Sequence, residues 1–180
     1  MKNRITCLMA ALSMVFGVVL GASSAFAAEA VVKILAPWQA RGEVYKVAPN
    51  KVKVVAIIDG IMYVDKGDKS MDAAVFMCPG VEYINLDNDQ ATLDADCVIS
   101  GGDDKVAYAT LKASGKVGAL EGDFTIIGGE KKWKGMKGAG KVSIRTALGS
   151  TAKNAKTGEV LNAAAGLAVW PGLTVTLPGK

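Results

Sequence analysis

The chain contains no histidine. That absence removes Ser-His-Asp and Cys-His catalysis, histidine-ligated zinc or copper, and the side chain most often used as a general base near neutral pH. Acid–base chemistry would have to rest on a carboxylate, a lysine or a tyrosine, and spacing singles out no carboxylate pair. Cysteine is scarce at three residues, none in a Cys-x-x-Cys pair, so a thioredoxin-like redox motif is missing. Aromatics make up only 6% of the chain. No long segment carries the 3.6-residue apolar period of a surface helix. These gaps argue against an enzyme with a recognisable catalytic constellation and call for no metal or cofactor.

What is present begins with an export signal. Lys2 and Arg4 precede an apolar run from Leu8 to Leu20, and Ala25-Phe26-Ala27 supplies small residues on either side of a bulky one. This is the layout of a secretory signal peptide cleaved after Ala27. The run is shorter than the roughly 20 apolar residues that span a bilayer, so no transmembrane segment is expected after processing. Cys7 lies within the signal and not at the cleavage site, which argues against a lipid anchor. The sequence thus predicts a signal peptide over residues 1–27 and one domain over 28–180, in the periplasm or secreted.

Processing changes the charge. Of 21 basic residues two lie in the signal, leaving 19 against 17 acidic. The precursor's pI of about 8.9 is therefore no nucleic-acid signature. Cys78 and Cys97 remain, and in an oxidising compartment they form one bridge. Closing a loop of about 20 residues is worth roughly 3 kcal/mol in the chain-entropy picture.

Turn-forming residues recur along the exported part: Pro49-Asn50, Asp59-Gly60, Lys66-Gly67-Asp68, Pro79-Gly80, Gly101-Gly102-Asp103, Ser114-Gly115, Glu121-Gly122, Gly128-Gly129, Thr157-Gly158 and Pro171-Gly172. Short runs rich in Val, Ile, Tyr and Thr lie between them. Several alternate as half-buried strands do: Val142 and Ile144, Leu173, Val175 and Leu177, and Phe124 and Ile126, with Ile127 breaking the pattern. Val52 to Val64 reads as a hairpin bent at Asp59-Gly60. Val160 to Trp170 fits either a strand or a short helix, and Asn154 to Thr157 a solvated loop. Together these predict a single all-β domain, an antiparallel barrel or a sandwich, and barrel closure would remove exposed edge strands.

Four local patterns could carry chemistry. Asp87, Asp89, Asp94, Asp96, Asp103 and Asp104 form an acidic stretch, but EF-hand spacing fails and Asx turns explain them better. Gly135 to Val142 approaches a phosphate loop, yet Val142 stands where the magnesium-binding hydroxyl belongs and a strand pattern follows. Lys131, Lys132, Lys134, Lys137 and Lys141 surround Trp133, as in a basic contact for an anionic envelope component or simply a soluble hairpin loop. No nucleic-acid partner is expected outside the cytoplasm. Trp38, Trp133 and Trp170 could line a cavity, although core or rim positions are the commoner use of tryptophan.

Residues 123–140 add a family signal. Phe124, Ile126, Gly128, Gly129, Trp133, Gly135 and Gly138 resemble the glycine-rich segment of allene oxide cyclase-like and dirigent-like barrel proteins, with Glu130 and Lys131 replacing the usual hydroxyl residue and glycine. The stretch from Cys78 to Cys97 also resembles small exported bacterial relatives of that barrel. The resemblance implies an antiparallel, calycin-like barrel in which the chain turns sharply at Gly128-Gly129 and Trp133 plugs the rim. It implies, as readings to be weighed, a non-enzymatic barrel holding a small apolar or amphipathic ligand, or a cyclase- or isomerase-like enzyme. The lysine-rich loop adds a third, a structural protein that meets anionic envelope components.

Overall fold

A computed structural model describes residues 28–147 and 161–177. The signal segment, the Asn154–Thr157 loop and Thr157-Gly158 lie outside the described residues. The rest forms eight strands: β1 (Ala28–Ala48), β2 (Lys51–Asp65), β3 (Met71–Asn85), β4 (Gln90–Ser100), β5 (Lys105–Lys116), β6 (Ala119–Lys131), β7 (Lys137–Thr146) and β8 (Leu161–Leu177). Each pairs antiparallel with its neighbour in sequence, and β8 returns to pair with β1. The result is a closed barrel, as expected, with no helix among the described residues.

Period-two patterning explains which way each strand faces. On β4, Ala91, Leu93, Ala95, Cys97 and Ile99 are buried while the residues between them are exposed. Phe124, Ile126, Val142, Ile144, Leu173 and Val175 point inward as their alternation predicts. Ile127 points outward, whereas Leu177 stays in phase with Val175 at the open end of the barrel, where β8 ends and the side chain is partly exposed. Each large apolar side chain buried this way contributes about 1.5–3 kcal/mol. The interior wall is rich in alanine, with Ala36, Ala40, Ala95, Ala107, Ala109, Ala113, Ala164 and Ala168 all buried. Eight strands leave an interior just wide enough for side chains to fill or for one small ligand, and small wall residues tip this barrel toward space.

The turn reading needs correction. Pro49-Asn50, Lys66-Gly67-Asp68 and Gly101-Gly102-Asp103 do connect strands. Asp59-Gly60, Pro79-Gly80, Ser114-Gly115, Glu121-Gly122, Gly128-Gly129 and Pro171-Gly172 do not, because all lie inside strands. There is accordingly no hairpin within Val52–Val64, which is part of one strand, and Leu161 to Trp170 is strand and not helix. The missed turns are Leu86–Asp89, where the Asn85 side chain accepts the Asp87 amide at 3.0 Å, and Val117-Gly118, with Gly118 at φ +84°.

In-strand glycines serve close packing. Trp38 lies opposite Gly60 on β2 and opposite Gly166 on β8. A Cβ on Gly166 would stand 2.0 Å from the Arg145 carbonyl oxygen and 2.6 Å from the Trp38 ring. Gly166 therefore makes room for the indole, whereas a Cβ on Gly60 would meet the Pro37 carbonyl oxygen at 2.3 Å and the Phe76 ring at 2.9 Å. Pro171-Gly172 accompanies a bulge, where β8 carries extra residues between its pairings to Val32 and Ile34.

Candidate functional site

Inward-facing residues leave two chambers along the barrel axis. Met62 and Phe124 line both and separate them. Phe124 is held by an edge-to-face contact with Trp170, centroids 5.3 Å apart and planes at 76°.

The first chamber, about 70 Å³, lies toward the end of the barrel that carries Gly118. Its aromatic wall consists of Trp38, Phe76, Phe124 and Trp170. Cys78 and Cys97 also line it, on β3 and β4, with their sulfurs at disulfide distance and Cα atoms 4.1 Å apart. The only ionisable side chain in this wall is Glu82. It is in phase with Phe76, Cys78 and Ile84 on the inner face of β3, flanked by Val54 and Leu93 on the adjacent strands. Burial pushes its carboxyl up from 4.5 to about 7. The indole N–H groups of Trp38 and Trp170 are buried without a hydrogen-bond partner.

The second chamber, about 480 Å³, opens at the opposite end. Its wall is apolar, with Val32, Ile34, Ala74, Ile99, Ala107 and Val175 among its residues. Polar groups gather at its rim: Lys105 and the paired side chains of Lys66 and Asp72. Trp133 and Met136 close over it from the β6–β7 connection. The Trp133 ring fits there because position 101 is glycine, whose added Cβ would meet that ring at 2.6 Å.

The resemblance motif takes a different local form from the one expected. β6 runs through Gly128-Gly129 to Lys131, and the chain reverses over Lys132–Gly135, with Lys131 at φ +54° and Gly135 at φ +79°. Gly138 pairs with Ile126 in the returning strand. Phe124 and Ile126 face the interior, and Trp133 reaches the second chamber's mouth. All three tryptophans line chambers, and at the same time Trp170 belongs to the core while Trp38 and Trp133 pack against it.

Three of the five lysines have local partners. Lys131 donates to the Asp103 carbonyl, Lys132 pairs with Asp104, and Lys141 meets Asp123 at 2.6 Å. Lys134 and Lys137 are exposed and have no ion pair among the described residues. In the acidic stretch, Asp94 pairs with Lys112 and Asp87 accepts from Asn50 at 2.5 Å. No group of three or more acidic or cysteine side chains suited to a metal occurs among the described residues.

Glu82 is the candidate residue that sequence reasoning missed. Its signal was present: extending the inward phase of Phe76 and Cys78 through Gly80 puts Glu82 inside. Comparisons with protein-family models, with curated proteins and with solved structures find no match.

Proposed function

We propose that the protein is a non-enzymatic binding barrel of the cell envelope that holds a small apolar or amphipathic ligand. The observation that carries this reading is the apolar chamber of about 480 Å³ with lysines at its rim, a size in the range of small-molecule pockets. Apolar walls favour a hydrocarbon portion, and Lys66 and Lys105 suit a polar end left near solvent. An environment-sensitive apolar dye, anilinonaphthalene sulfonate, should bind with saturable fluorescence gain. Ala107→Phe, which places a ring in that chamber, should abolish the gain while thermal unfolding stays cooperative. A dye response unchanged by this substitution would remove the chamber as its site.

Glu82 supports a second reading, a cyclase- or isomerase-like enzyme. A carboxyl near 7 in an apolar chamber can hold or release a proton at neutral pH. The envelope-contact reading draws on Lys134 and Lys137, since the other loop lysines have local partners. Charge reversal of these two should lower retention on anionic vesicles at low salt if that reading holds.

A further inference from the structure

We propose that the Glu82 chamber is a recognition site for a small organic ammonium group bearing an oxygen acceptor, the head of an amino alcohol. This rests on the binding-barrel reading and names the ligand chemistry for the chamber at its Gly118 end. The argument starts from charge. A carboxylate taken out of water is costly unless it is paired, and among the described residues no lysine or arginine lines this chamber. Val54 and Leu93 flank Glu82, and no other group lining the chamber from any strand titrates. Among the described residues nothing supplies a counter-charge, so Glu82 either keeps its proton or takes a cation from outside.

The wall specifies what kind of cation. Trp38, Phe76, Phe124 and Trp170 present rings around the same space. Aromatic faces attract alkylated ammonium groups, which shed water more easily than metal ions. An anionic head would be repelled by Glu82, and a neutral alkyl group would leave its charge unmatched. The second observation is independent of Glu82. Trp170 is only 3% exposed, yet its N–H has no partner, and the same holds for the buried N–H of Trp38. Buried donors of this kind call for an acceptor, which the ligand's oxygen supplies. A chamber of about 70 Å³ matches the liquid volume of roughly two waters, so only the end of the ligand enters it.

Choline and its uncharged carbon isostere, dimethylbutanol, separate charge from shape. Titrated into the disulfide-bonded protein and followed by tryptophan fluorescence, choline should bind at least tenfold more tightly than the isostere. Glu82→Gln should remove that preference and leave the isostere unaffected. As Glu82 protonates below about pH 7, choline affinity should fall toward tenfold for each further pH unit, with no such fall for the isostere. Trp170→Phe, which keeps a ring but loses the N–H, should reduce choline affinity without abolishing it. Equal affinity for the two probes, or full choline affinity in Glu82→Gln, would overturn the proposal.

N-dodecyl-N-(2-hydroxyethyl)-N,N-dimethylammonium, which keeps choline's hydroxyl, distinguishes the source of the head group. Binding tighter than choline and weakened by Ala107→Phe assigns it to a tailed amphiphile, while binding no tighter assigns it to a free small molecule. Both results support the site. Dye binding without choline binding would sink only the ammonium assignment. Loss of the dye response with choline binding retained would instead sink the reading of the larger chamber.

Discussion

Glu82 gives the molecule a pH dependence opposite in sign to that of a salt-bridged carboxylate. Its folded value lies near 7 against an ordinary 4.5. Below the lower value both folded and unfolded chains hold the proton, and the residue costs nothing. Between the two, the unfolded chain releases its proton first, so stability falls as pH rises. Above about 7 the full penalty is present, on the order of 3 kcal/mol. Glu82→Gln should therefore raise the urea midpoint at about pH 8 and leave it unchanged at about pH 4. A midpoint equally shifted at both would mean that packing, and not charge, separates the two side chains. The residue was legible in part: its neighbours alternate correctly, but reading Pro79-Gly80 as a turn broke the strand just before it. Proline-glycine has two physical uses, reversing a chain and thinning a strand where another backbone comes close, and one sequence alone does not tell them apart.

That ambiguity recurs at the scale of the strand. Gly166 makes room for the Trp38 ring, and nothing in its local sequence reports an indole from a strand far along the chain. Gly166→Ala should destabilise the barrel by about 1–3 kcal/mol, since the new methyl meets backbone as well as ring. Gly128→Ala is the matched control, because a Cβ there has nothing within 4 Å; chemical denaturation should show it nearly neutral. Strand identity was easier to read than strand length. Alternation in Val142–Ile144 and Leu173–Val175 is local, whereas continuity through a bulge at Pro171-Gly172 depends on the partner strand. The β3–β4 pair carries its own test. Replacing Cys78 and Cys97 together by alanine should cost about 3 kcal/mol if loop entropy dominates, seen as a lower urea midpoint under non-reducing conditions. Since both are buried, dithiothreitol should reduce the bridge only slowly until denaturant is added.

For the whole molecule, the all-β class was legible from alternation and from the lack of a helical period, but the choice of a barrel over a sandwich was not fixed by the strand pattern, and the space inside was not legible. Filled and hollow barrels share the same period of two, and only the placement of alanines against a few large rings opens the two chambers. The outside is uneven as well: Ile57, Ile61, Val75, Met77 and Val98 are exposed on β2, β3 and β4, around an Asp59 that accepts from Gln39 at 2.9 Å. The seam between the first and last strands also sets a clock. β1 ends at Ala48 and its second partner begins only at Leu161. At roughly 5–20 residues per second of synthesis, the hundred-odd residues between them take on the order of 5–20 s. Throughout that interval one side of β1 has backbone groups with no partner, and the growing chain is most exposed to association with its own copies just before it is complete.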